Sequence, residues 1–241
     1  MQVFYVMYNE RKEEIEGFFK LMSFLEEKEM KKDSSGLSEF DHFFNENNTD
    51  EFNYQSLINI FKSNVSLMIY NIIEFTVSNL IEGIYDEIKK QHLSYNDVSA
   101  SIKTLWRKTI LKEASDPNAS FNTFLRKNEE IIDAIISNST IEMTARKTIS
   151  GGNLDAEIIK DTFEAHGIKI VTSSPNYRPD IFRSIKDKRN NLAHGSVSFI
   201  EAVREESIQD IKRDKEIVIL FLDELIAMME EYITKREFIA K

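Results

Sequence analysis

Leu57-Ile58-Asn59-Ile60-Phe61-Lys62-Ser63-Asn64-Val65-Ser66-Leu67-Met68-Ile69-Tyr70-Asn71-Ile72-Ile73-Glu74-Phe75 lies inside the longest uninterrupted helical signal of the chain, residues 54–90. Leu57, Ile60, Phe61, Val65, Met68, Ile72 and Phe75 recur at helical spacing on one face, and Ile58, Ile69, Ile73, Val77 and Ile81 on another. A helix apolar almost all round belongs in the middle of a protein. One narrow stripe breaks the pattern: Asn64, Asn71, Glu74 and Ser78. A buried amide or carboxylate needs a partner. Two roles are open for the stripe: hydrogen bonds between helices, or support of a functional cation elsewhere in the chain.

A second long helix, from Ser207 to about residue 238, is apolar all round at its centre (Ile217 to Leu222) and is expected to pack deeply beside the first. Between and before them the helical period recurs over residues 10–30, from a start near Ser94-Tyr95-Asn96-Asp97 to about 113, over 121–137 behind Ser120, and over 155–166 behind Asn153. Pro179 opens a further helix, about 179–194. Residues 33–53 read as a polar loop with one short turn around Phe40–Phe44 and a cluster at Asn45, Asn47 and Asn48. Seven glycines and three prolines in 241 residues leave little to interrupt these segments. The expectation is an all-α, single-domain helical bundle, 1–241, of about six to eight helices built around two long buried ones.

Composition narrows the function. The chain is 41% hydrophobic and 30% charged, as soluble globular proteins are. It has no cysteine, which removes disulfides and thiolate metal sites and fits a cytoplasmic location. No signal peptide is read at Met1–Met7, and no run is read as long enough to span a membrane. The net charge of −10 argues against coating nucleic acid by bulk electrostatics. From Arg178 to His194, however, five cations (Arg178, Arg183, Lys186, Lys188, Arg189) stand against Asp180 and Asp187. That local sign reversal favours an anionic ligand. The four histidines are far apart and none has metal-ligand spacing. No phosphate-loop, dinucleotide or nucleophile-elbow motif is present, and the Gly151-Gly152 pair reads as a turn. No cofactor is expected.

The segment Arg189-Asn190-Asn191-Leu192-Ala193-His194-Gly195 differs from its surroundings. It combines a permanent cation, two amides and a histidine, and stops at a glycine suited to a helix C-terminus. On an ideal helix Arg189 and His194 lie about 7.5 Å apart along the axis and ~140° around it. They converge only if Arg189 reaches down the helix or the helix unwinds at Gly195. One reading makes Arg189 a surface cation and His194 a cap. The other makes them a phosphate clamp and a proton carrier, with Asn71 and Glu74 facing Arg189.

Arg189-Asn190-x3-His194 resembles the signature of the HEPN superfamily. Ile185 to Gly195, Tyr70-Asn71-Ile72-Ile73-Glu74-Phe75 with Ile84-Tyr85-Asp86-Glu87-Ile88, and Gly152-Asn153-Leu154-Asp155 resemble one bacterial HEPN family in particular. The resemblance implies a ribonuclease that works without metal. Its histidine activates the ribose 2′-OH or protonates the leaving 5′-oxygen, and Arg189 stabilises the phosphorane. Asn190 positions the phosphate or the motif backbone, with Asn191 supporting, while Arg183, Lys186 and Lys188 bind RNA. It further implies a homodimer that pools two motifs, and a toxin–antitoxin or phage-defence setting with a neutralising or activating partner protein. The rival class is a non-catalytic helical dimer that binds a partner protein or nucleotide through the same cleft.

Overall fold

The computed structural model describes residues 2–46, 52–149 and 153–241. Asn47, Asn48 and Gly151-Gly152 lie outside them. The described residues form helices α1 (Gln2–Met30), α2 (Glu39–Glu46), α3 (Tyr54–Lys90), α4 (Ala100–Leu111), α5 (Phe121–Ile136), α6 (Ala145–Thr148), α7 (Ala156–Ala165), α8 (Pro179–Ala193) and α9 (Ile208–Thr234). Extended pairing among them is confined to two isolated bridges, Ser94 with Thr140 and Val98 with Ile239. The fold is all-α. The chain divides into two compact units, Met1–Ile73 with Arg178–Leu220, and Glu74–Tyr177 with Phe221–Lys241.

In the first unit, α1 begins eight residues earlier than expected. Phe4 and Tyr8 are buried and extend the period of Ile15, Phe19 and Met22 to the start of the helix. The short turn expected around Phe40 is the two-turn helix α2. Ser38 caps it, accepting from the Asp41 amide at 3.0 Å, while the Asp41 carboxylate accepts from the Ser38 amide at 2.8 Å. Lys215 of α9 is buried, pairs with Glu16 of α1 and lies 5.3 Å from the Phe19 ring centre. The centre of α9 is apolar all round but not buried all round: Leu220 is exposed, and with Ile219 it borders a shallow groove beside Lys12 and Ile15.

The Tyr54–Ile73 part of α3 carries its buried polar groups at Ser56, Asn59, Lys62, Ser63 and Ser66. These are spaced three and four apart and so share a face. The stripe expected to be buried is instead the wetter side. Asn71 is exposed, Asn64, Glu74 and Ser78 are half-buried, and Asn64 donates to the Ile60 carbonyl of its own helix. One 18-residue window of α3 reaches mean hydropathy 1.2, which by length and composition is enough to cross a membrane and corrects the reading that no run is. Lys62 and Ser63 donate to carbonyls of the 199–206 segment, so this part of α3 packs against protein.

In the second unit, α4 contacts α5, α6 and α7. Ser99, not Ser94, caps α4 by accepting from the Ile102 amide, and Ser94 forms a turn with Asp97. Likewise Asp155, not Asn153, caps α7. The seat of α7 is His166, which is 1% exposed. Its Nδ1 donates to the Thr162 carbonyl at 2.7 Å, leaving Nε2 to accept from the Tyr85 hydroxyl at 2.6 Å. The Tyr232 hydroxyl donates to the His166 carbonyl at 2.7 Å. Burial pushes the imidazole pKa down to about 4, so the ring is neutral at physiological pH.

Candidate functional site

The candidate site lies in the first unit, on the last turns of α8. Pro179 starts the helix with its fixed φ and no amide to leave unpaired. Ile181, Phe182, Ile185 and Leu192 form its buried face. Arg189 follows Ile185 by four residues and precedes Leu192 by three, so it projects from the same side as this apolar stripe. An arginine there cannot be an ordinary surface cation. It is half-buried, and its guanidinium carbon lies 5.0 Å from the centre of the Tyr70 ring, itself 1% exposed. Nη1 donates to the Asn190 side-chain oxygen at 3.0 Å. The neighbouring amide thus fixes the rotation of the guanidinium plane while the tyrosine face supports it.

The helix ends by a Schellman motif. The Gly195 amide donates to the Leu192 carbonyl at 3.2 Å, and the Ser196 amide to the Asn191 carbonyl at 2.9 Å. Gly195 has φ +67°, a left-handed conformation. His194 is the last residue before this reversal, and its side chain is exposed. The helix does end at Gly195, but the reversal comes after His194, whose own backbone stays helical (φ −89°, ψ −3°), so it leaves the turn between Arg189 and His194 unchanged. The helix keeps its geometry through Ala193, with Arg189 on the inner side and His194 at the open end. Asn191 is exposed and takes part through its carbonyl in closing the helix.

The buried polar seam of α3 anchors the segment that leaves the motif. Ser63 Oγ donates to the Phe199 carbonyl at 2.5 Å. Lys62 Nζ donates to the carbonyls of Val203 at 3.1 Å and Glu206 at 2.6 Å, and burial pushes its pKa down. Ser198 and Glu201 cap each other's ends of the intervening turn. The Glu206 carboxylate pairs with Lys188 of α8. Sequence reasoning did not connect Lys62, Ser63 or Glu206 with the motif, and it gave Tyr70 no role beside Arg189.

The expected RNA-binding cations differ in availability. Arg183 is exposed. Lys186 is half-buried with its Nζ 3.9 Å from Asp187. Lys188 is committed to Glu206, with only 13% of its side chain exposed. Arg178 is clamped to Asp180 through two hydrogen bonds of 3.0 and 2.7 Å. The positive surface is therefore smaller than the residue count from 178 to 194 suggests. Asn71 borders a small cleft with Glu10, Arg11 and Glu14, and its side chain does not take the place of Tyr70 beneath Arg189. Among the described residues no group of three or more His, Asp or Glu side chains is arranged to hold a metal ion.

A family model described as HEPN_MAE_28990-like HEPN matches residues 7–238, a span that runs through both compact units. No curated protein and no solved structure matches the chain.

Proposed function

The chain belongs to the HEPN_MAE_28990-like HEPN family, and from that premise we propose that it is an endoribonuclease using Arg189, Asn190 and His194. The carrying observation is the way Arg189 is held: on the inner stripe of its helix, over Tyr70, with Asn190 fixing its plane. A guanidinium laid over a ring and tied to the neighbouring amide keeps a set orientation, which is what stabilising charge on a transferring phosphoryl group requires.

In the proposed reaction the ribose 2′-oxygen attacks the adjacent phosphorus and its proton passes to a histidine. The bond from phosphorus to the 5′-oxygen breaks, and that oxygen receives a proton from a second acid. The products are a 2′,3′-cyclic phosphate and a 5′-hydroxyl. His194, exposed at the helix end, serves one proton transfer, and the His194 of a second copy serves the other in a two-fold dimer. Asn191 and the Schellman turn hold the histidine in place, while Arg183 and Lys186 guide the RNA backbone. Lys188 acts indirectly, by tying α8 to Glu206. Glu74 and Asn71 are left as supporting groups on the wetter face of α3. We place the activity in the cytoplasm, in a toxin or phage-defence system with a partner protein that restrains or triggers it. Incubating the purified chain with RNA in EDTA, beside His194→Ala, tests the reading. Cleavage by the wild type alone supports it, and equal cutting by both rejects it.

A further inference from the structure

We propose that a cavity in the second unit is a binding site for a free nucleotide, whose phosphate is held by Lys112, Arg146 and Lys147 and whose base lies against the apolar wall at Trp106. The cavity has a volume of about 670 Å³, inside the range of small-molecule sites. It is enclosed by α4, by one face of α5 and by residues 140–147, so it lies wholly within the second unit. None of the motif residues borders it. Its wall is fixed by bonds to the rest of that unit. The Ile141 amide donates to the Leu93 carbonyl at 3.0 Å, and the Ala145 amide to the Glu82 carboxylate at 2.7 Å. The Thr148 hydroxyl lies 2.9 Å from that of Tyr85. The 140–147 wall is thus in place before a ligand arrives, as in most small-molecule sites.

Charge selects an anion. Lys127, on the α5 side, is paired with Glu130 at 3.1 Å. Lys112, at the end of α4, and Arg146 and Lys147 of α6 are exposed, and none makes an ion pair with a carboxylate among the described residues. Glu142 is the one acid on the wall left to oppose these three. In a chain of net charge −10, such an excess on a concave wall concentrates positive field in the space it encloses. The rest of the wall selects what the anion is attached to. Trp106, Ile110 and Ile141 form an apolar part, and Trp106 is steadied by the Tyr95 ring, with centres 5.5 Å apart. The hydroxyls of Thr140 and Thr144 also line the cavity and make no hydrogen bond to protein among the described residues. Inorganic phosphate would leave the apolar part wet, and an acyl chain would leave the hydroxyls unmatched. A nucleotide carries an anion, a hydroxyl-bearing sugar and a flat base, and meets all three. An RNA strand is a poorer match, because strand-binding proteins line up cations along a groove, and here they gather in one cavity.

Trp106 is the only tryptophan in the chain, so its emission reports on this cavity without background. The purified protein is titrated with each of the four ribonucleoside monophosphates, beside the matching nucleosides, inorganic phosphate and an unstructured RNA decamer. Calorimetry is run in parallel to catch binding that leaves the emission unchanged. At least one monophosphate should bind saturably, and its nucleoside and inorganic phosphate should bind roughly tenfold more weakly or worse. Arg146→Glu with Lys147→Glu, and separately Lys112→Glu, should weaken binding by about tenfold or more. Lys169→Glu, an exposed position of the same unit away from the cavity, should not. All the substituted side chains are exposed, so circular dichroism should show unchanged helical content. These readouts do not depend on RNA cleavage, and their failure would leave the ribonuclease reading untouched. Binding of none of the four monophosphates, equal binding of the nucleoside, or equal affinity in the charge-reversed variants would overturn the proposal. So would binding of the decamer alone.

Discussion

Arg189 holds its guanidinium 5.0 Å from the centre of the buried Tyr70 ring, so a residue of α8 is oriented by one of α3. The contact separates charge from shape in the proposed site. Arg189→Lys keeps the charge but loses the planar fork and its fit to both the ring and the Asn190 oxygen. Its cleavage rate should fall by about two to three orders of magnitude, the usual loss for one transition-state donor. Unfolding should shift little. A rate within threefold of wild type would mean that Arg189 supplies charge alone.

Gly195→Ala tests the helix end. There is open space around the position, so the cost is backbone strain at φ +67° alone, about 1 kcal/mol. In a chain of this size that lowers Tm by roughly 2–4 °C. Gly195→Asn should lose less, because asparagine tolerates the left-handed region. Calorimetry of the two variants distinguishes this from a packing effect, which would make the larger asparagine worse.

Lys62→Met tests the seam under the motif's exit segment. It removes the donor to the carbonyls of Val203 and Glu206 while keeping most of the side-chain volume. Leaving buried acceptors unpaired costs about 1–3 kcal/mol. Amides from 199 to 206 should lose hydrogen-exchange protection, and cleavage should slow although Lys62 touches no substrate. Unchanged protection there would show that the segment holds itself.

His166 makes stability depend on pH. Its folded pKa, about 4, lies below the ordinary 6.5 because burial opposes the charged ring. Between these values the unfolded chain binds a proton that the folded chain refuses, so stability falls as pH drops from about 6.5 toward 4. It is flat with respect to this group above and below that window. The full span is worth roughly 3 kcal/mol. Urea midpoints at pH 5 and pH 7 should differ by more in the wild type than in His166→Gln. Equal differences would assign the pH dependence to other groups.

Much of this fold is legible in the sequence, since long helical periods with few glycines and prolines leave little choice of class. The inward position of Arg189 was also readable, from its spacing to Ile185 and Leu192. The error on α3 has a physical origin. Asn64, Asn71 and Glu74 caught the eye as polar breaks, but Asn59, Lys62, Ser63 and Ser66 form an equally regular series. Lysine is rarely assigned to a core, because its burial depends on carbonyls 141 and 144 residues away that spacing cannot reveal. Tyr70 stood only in the stretch that carries the resemblance, because spacing within α3 does not reveal which side chain of another helix will lie over its ring. The shifted starts at Ser99 and Asp155 arose where several capping residues stood in a row. The availability of Lys188 depended on Glu206, a residue outside the motif's own helix.

The central claim is that Arg189 and His194 cleave RNA through its 2′-hydroxyl. The most direct measurement uses an end-labelled RNA in EDTA, a matched substrate with a 2′-deoxy sugar at the mapped cleavage position, and the wild-type and His194→Ala proteins. A 2′,3′-cyclic phosphate product is expected from RNA with the wild type only, together with loss of cutting at the deoxy position. Cutting at the deoxy position, or undiminished cleavage by His194→Ala, would contradict it.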